Sequence, residues 1–184
     1  MNVFRTLFLA AALVAVSLAS VAAPPIDPLA GLHFPAIQAE NLANQSLSLP
    51  REFTGQRNLV LIAFQHAQQK DVSSWLEQEK QFAALDPALR TYELAAIGPV
   101  NAAARWFIRN GMRSRLSDSE RGRTIVLFSD KAPLHTALGL AGEQQIYAIL
   151  LDRDGRVLWR AEGRADEAKA ASLKQTLQAL THTR

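Results

Sequence analysis

The sequence predicts an α/β domain in three layers, with a mixed, mostly parallel central sheet between helices and a C-terminal β-hairpin plus helix closing the chain. Three observations predict it. The run Leu59-Val60-Leu61-Ile62-Ala63-Phe64 is apolar on both faces and bounded by polar residues, as in a fully buried strand of a parallel sheet. After a polar crossing, Gln65 to Asp71, the residues Val72, Trp75, Leu76, Phe82 and Leu85 recur at helical spacing. Strand and helix patterns then alternate until Asp152-Arg153-Asp154-Gly155, a hairpin signal. Such alternation requires crossover connections, and these place helices on both faces of the sheet.

Residues 1–22 read as a signal peptide. Arg5 supplies the positive start, Leu7 to Val16 the apolar centre and Ser20-Val21-Ala22 the small-residue cleavage site, with Pro24 favouring cleavage after Ala22. Residues 6–26 carry no charge and are long enough to stay in a bilayer, which leaves a membrane anchor as the alternative. Residues 23–32, rich in Pro and small side chains, read as an irregular lead-in, and residues 33–184 as a single domain. Within it, His33 to Pro50 suits a short edge hairpin. The first helix is expected to start near Asp71, which caps it, and to stop before Pro87, with Ser74 and Glu77 offering a second capping box. Tyr92 to Ile97 is the next strand, and Asn101 caps a helix that ends at Gly111. Met112 to Arg123 reads as an exposed loop or a short capped turn around Ser117-Asp118. Thr124 to Phe128 is another buried strand and Pro133 to Leu138 a short helix. The hairpin strands Ile146 to Leu151 and Arg156 to Arg160 follow, and a last helix begins near Asp166 with Ala170, Leu173, Leu177 and Leu180 on one stripe.

Loss of the leader leaves about 160 residues, enough for a substantial core without disulfides. The chain contains no cysteine, which excludes thiol catalysis, thiolate metal sites and iron–sulfur clusters. Its net charge of +3 is too small to argue nucleic-acid binding. No phosphate-binding glycine loop, nucleophile elbow or paired-carboxylate site is legible, and no cofactor is implied.

The ordered set Thr124-Ile125-Val126-Leu127-Phe128-Ser129-Asp130, a helix ending Leu138-Gly139-Leu140, then Ile146 to Gly155 and Val157, resembles the second half of the peroxiredoxin-type branch of the thioredoxin-like superfamily. A closer likeness is to the thioredoxin-like family of mitochondrial ATP synthase assembly factors. It rests on Ser74-Trp75 in the first helix, Tyr147 and Leu151-Asp152 in the hairpin, and Trp159 with Gly163-Arg164-Ala165 after it. The resemblance covers Phe34 to Leu180 and implies a thioredoxin-like fold and a role in folding or assembling a membrane complex. Where redox-active members hold a reactive cysteine at the start of the first helix, this chain offers Gln68, Gln69 and Asp71, and where they place a cis-proline it has Gln144 and Gln145. No catalytic residue therefore carries over.

The candidate partner-binding residues are His66, Gln68, Gln69 and Asp71 in the crossing, and Trp106, Arg105 and Arg109 in the helix after Asn101. His66 reads as a general base or as a solvated loop histidine. The polar crossing could bind a peptide or simply be solvated. Arg105, Arg109 and Arg113 share one helical face that could meet anionic lipid or an acidic protein, unless Gly111 stops the helix first and splays Arg113 away. Trp75, Trp106 and Trp159 are expected in the core or at its edge. Trp106, Phe107 and Ile108 cannot all face inward, so that helix is a candidate interaction surface. The reading reached is a redox-inactive, exported thioredoxin-like domain that binds a protein partner, in a chaperone-like or assembly role at a membrane complex. The alternative is a thiol-independent enzyme on the same scaffold with His66 as base.

Overall fold

A computed structural model describes Leu29 and residues 31–182. The leader and anchor readings lie outside those residues. Strands β1 (Ile37–Asn41) and β2 (Ser46–Leu49) form an N-terminal hairpin, and β3 (Arg57–Ala63) leads through one 3-10 turn (His66–Gln68) into α1 (Gln69–Leu76) and α2 (Glu79–Leu85). There follow β4 (Leu89–Ala96), α3 (Ala102–Arg113), α4 (Asp118–Arg123), β5 (Thr124–Leu127), α5 (Ala132–Leu138), β6 (Tyr147–Asp152), β7 (Val157–Glu162) and α6 (Glu167–His182). The strands make one seven-stranded sheet in the order β2-β1-β5-β4-β3-β6-β7.

The sheet is mixed, as expected, with its parallel pairing confined to the centre: β3 with β4 and β4 with β5. The remaining pairings, β1–β2, β1–β5, β3–β6 and β6–β7, are antiparallel, a larger share than the sequence reading anticipated. The cause lies in the connection after β5. The short α5 does not carry the chain back down the sheet, so β6 starts beside the end of β3, Tyr147 opposite Ile62, and has to run the other way.

Alternation along the central strands divides the core. Val60, Ile62, Leu94, Ile125 and Leu127 face one side, where α5 and the N-terminal segment with Phe34 and Phe53 cover them. Leu59, Leu61, Ala148 and Leu150 face the other, under α1, α2 and α6. Farther along that second face, Val126 and Phe128 receive Ile108 of α3 with Met112 and Leu116. The described end of the lead-in is docked: Leu29 and Leu32 pack on the core, and the Leu32 carbonyl accepts from the Val157 N–H. The hairpin turn uses Gly155 at φ +91°, where a Cβ would meet Pro50 Cγ at 2.6 Å, so positive φ and close approach both require glycine.

Three boundaries differ from expectation. The helical path begins at His66 rather than Asp71. Gln68 reaches back to the Gln65 N–H, while Asp71 sits inside the first turn of α1. One long helix becomes two because the Gln78 N–H bonds back to the Trp75 carbonyl in a tighter i to i−3 turn, with Trp75 and Phe82 both fully buried on its two sides. Helix α3 continues past Gly111 to Arg113, and the segment beyond it contains α4, closed at its start by the reciprocal Ser117–Glu120 capping box.

The Ser74-Trp75 pair and Gly163 to Ala165 meet in space. Ser74 Oγ donates to the Asp71 carbonyl at 2.6 Å and accepts the Ala165 N–H at 2.8 Å, so it serves this contact rather than a capping box with Glu77. Trp75 Nε1 donates to the Gly163 carbonyl at 3.0 Å, and its ring meets Trp159 edge-on at 5.7 Å. Trp75→Phe should lower stability to urea by about 1–3 kcal/mol by leaving the buried carbonyl without a donor. Trp75→Ala should lower it by about 3–5 kcal/mol through the cavity as well.

Candidate functional site

The loops after β3, β4 and β5, and the loop before β6, gather at one end of the sheet, the C-terminal edge of its parallel strands, where open α/β sheets place their ligands. The crossing Gln65–Asp71 lies there and is braced from within. Gln68, 5% exposed, accepts the Phe64 and Gln65 N–H groups at 2.8 and 3.1 Å, and its Nε2 donates to the Glu143 carbonyl at 2.8 Å. Gln65 Nε2 reaches the same carbonyl at 3.3 Å. The Glu143 side chain is fixed in turn by Lys131 Nζ at 2.6 Å and His135 Nε2 at 3.2 Å. The Lys131 bond chiefly, with help from His135, holds the Glu143 carboxyl below its ordinary value.

Helix α3 is capped as expected, Asn101 Oδ1 accepting the Ala104 N–H at 2.9 Å, and has no fully buried residue. Polar bonds fasten one flank. Arg109 pairs with Glu40, and Arg109 and Arg113 both donate to Asn44 Oδ1, at 2.7 and 2.6 Å. Arg105 donates to the Val100 carbonyl and lies over the Phe128 ring at 5.4 Å. Continuation of the helix through Gly111 therefore keeps Arg113 in line with Arg109, contrary to the expected splay, and much of the arginine face anchors α3 to the β1–β2 hairpin.

Between the crossing and the other flank of α3 is a cleft of about 650 Å³, walled by Phe64, Ile97, Phe107, Ile108, Met112 and Leu116. His66 and Gln69 stand on one side of it, Arg115 on the other, and Glu93 of β4 lies among its lining residues. Glu93 projects from the helix-covered face of the sheet, level with Leu61 and Thr124. Burial pushes its carboxyl up from the ordinary glutamate value. A hydrogen bond from Gln69 and the charge of Arg123 oppose the rise, while Glu120 and Glu79 add to it.

The expected site residues therefore part company. His66 and Gln69 are exposed and line the cleft. Gln68 is buried with both ends of its amide engaged, which corrects its reading as a group free to touch a partner. Asp71 is half-buried in α1 and outside the cleft. Trp106 is 68% exposed, a correction to its expected place at the core, and Phe107 is 74% exposed, whereas Trp75 and Trp159 are buried. The pocket joins His66 to Glu93 rather than to Asp71 or Gln144, and the His66 ring makes no hydrogen bond among the described residues. No group of His, Asp and Glu among them could hold a metal ion. Sequence reading missed Glu93 and Glu143. A carboxylate inside the otherwise apolar strand Tyr92 to Ile97 was the available signal for Glu93. Glu143 acts on the crossing through its main-chain carbonyl and left no signal.

The model of the family described as ATP10 protein matches residues 29–180. No curated protein matches the sequence. Among solved structures the chain is similar to BsSco, a member of the Sco family of cytochrome c oxidase assembly proteins, with 12% identity and a TM-score of 0.55 over 80% of this chain and 95% of that one. It is also similar to the exposed lipoprotein thioredoxin of Streptococcus pneumoniae, with 11% identity and a TM-score of 0.53 over 78% and 98%. Peroxiredoxin Q of Xanthomonas campestris matches with 10% identity and a TM-score of 0.52 over 82% and 94%. At such identities the likeness is one of fold, and the fold is thioredoxin-like.

Gln68→Ala should cost about 1–3 kcal/mol of stability by stranding buried backbone groups, and amide exchange at Phe64 and Gln65 should quicken. Glu93→Gln should act in the opposite direction. A carboxyl whose folded-state pKa is raised contributes stability that is complete below its unfolded-state pKa and is lost as pH rises through the folded one. Urea titrations should therefore find Glu93→Gln more stable than wild type at neutral pH, with the gain fading as pH falls to the ordinary glutamate range.

Proposed function

This chain belongs to the ATP10 protein family, and on that premise we propose that it is an exported, redox-inactive thioredoxin-like domain that holds a polypeptide partner during assembly of a membrane complex. An assembly-type module is what the family and the fold support together. The observation that carries the finer reading is the state of the crossing. Just before the first helix the N–H groups of Phe64 and Gln65 are taken by the Gln68 amide, and the chain has no cysteine for the helix start, where redox relatives hold a thiolate. A braced edge flanked by an apolar cleft and two exposed aromatic rings is suited to holding a chain rather than to transferring electrons. Catalysis by His66 is the weaker reading, because no hydrogen-bonded acid orients its ring among the described residues. Export rests on residues 1–22. Among the described residues no helix is long and apolar enough to cross a membrane, so membrane proximity would come through the partner or through the N-terminal segment.

Photo-crosslinking in intact cells tests the reading. A benzophenone side chain at position 66 or 107 should give one reproducible protein adduct, and the same group at position 153, on the exposed hairpin turn, should give none. Absence of adducts from 66 and 107, or equal capture from 153, would overturn it, as would faster reduction of insulin by dithiothreitol when the purified chain is added.

A further inference from the structure

We propose that the cleft between the crossing and α3 takes an apolar segment of the partner polypeptide that carries one lysine or arginine, with its cation seated on the Glu93 carboxylate. This rests on the reading of the chain as a polypeptide-binding module and names what that module recognises.

Size, charge and solvation all bear on it. A cleft of about 650 Å³ falls within the range of about 300–1,000 Å³ typical of ligand sites and holds a few side chains. Its walls are mostly apolar, and the exposed Phe107 extends that surface outward from α3. The groups acting on Glu93 are Gln69 of α1, Glu79 of α2, and Glu120 and Arg123 of α4. Arg123 is the one cation among them and is bound to Glu79 at 2.6 Å. Glu120 is engaged in the Ser117 cap. Glu93 itself forms no salt bridge among the described residues. A half-buried carboxylate whose neighbouring guanidinium is already paired with another carboxylate carries a desolvation cost, which an incoming cation with apolar flanks would relieve while covering the walls.

The remaining cation at the cleft, Arg115, is exposed and screened by water, so it opposes positive charge at the rim much less than Glu93 attracts it at the floor. That arrangement favours a single cation set among apolar residues over a polybasic segment. A bare metal ion is disfavoured, because no group of three possible ligands exists among the described residues.

The probes are a short apolar peptide with one central lysine, blocked at both ends, and its norleucine twin, followed by calorimetry and by amide shifts in solution. At neutral pH the lysine peptide should bind and move resonances in residues 63–69, 93–97 and 107–116, with the twin about tenfold weaker or more, the scale of one charge-assisted bond. Glu93→Gln should bring the lysine peptide down to the twin's affinity and leave the twin unchanged. In the unmutated protein, lysine-peptide affinity should fall as pH drops through the Glu93 titration while the twin stays flat, a readout that does not depend on the variant. Equal affinities, a lysine preference that survives Glu93→Gln, shifts confined to other surfaces, or no binding by either peptide would each overturn the proposal. So would equal binding of free lysine amide, which would make this a small-amine site, or a dimer that buries the cleft, which would assign it to a second copy. Adducts at positions 66 and 107 alongside a failed lysine preference would refute the cation alone and leave the assembly reading standing.

Discussion

The Ser74–Ala165 and Trp75–Gly163 hydrogen bonds fix the frame in which the rest of the molecule sits. They tie the last turn of α1 to the turn that follows β7, so the helix leaving the centre of the sheet is held by the chain that closes it. Trp75 packs against Trp159 and Phe82, and Trp159 donates in turn to Ser172 of α6 at 3.0 Å. The two indoles thereby join α1, α2, β7 and α6. Because α1 cannot slide, the crossing before it has a defined position, and so does the cleft between that crossing and α3.

At the end of the sheet, the polar crossing is braced from within. The Phe64 and Gln65 N–H groups are taken by the Gln68 amide oxygen, and the other end of that amide holds the loop before β6. The result is a stiffened crossing. Glu93 stands in contrast, because it is a group whose burial disfavours its charged form. Proteins tend to retain such local conflicts where binding or catalysis needs them and offset them elsewhere in the core. Helix α3, with no fully buried residue, is attached by arginine bonds on one flank and by a thin apolar seam on its underside. That attachment leaves Trp106 and Phe107 outside.

Legibility in the sequence varied with how local the deciding interaction is. The hairpin at Asp152 to Gly155 was readable because Asp152 Oδ1 accepts the Asp154 and Arg156 N–H groups within the turn itself. The last helix was readable because Ala170, Leu173 and Leu177 form a continuous buried stripe. Trp106 was misplaced because a tryptophan in an amphipathic helix is usually covered, and nothing within a few residues of it shows that no element packs over that face. Gln68 looked like part of a solvated polar run, and its burial depends on a carbonyl 75 residues away.

The sequence by itself determined the order of elements, the thioredoxin-like class and the absence of cysteine, because apolar periodicity, turn residues and composition are properties of the local chain. Tertiary structure alone decided that β6 runs against β3, that Gln68 faces inward while Trp106 faces outward, and that a carboxylate from the middle of a strand lines an apolar cleft. Each of these follows from groups remote in the chain competing for the same space and the same hydrogen-bond partners, and no local pattern records the outcome of that competition.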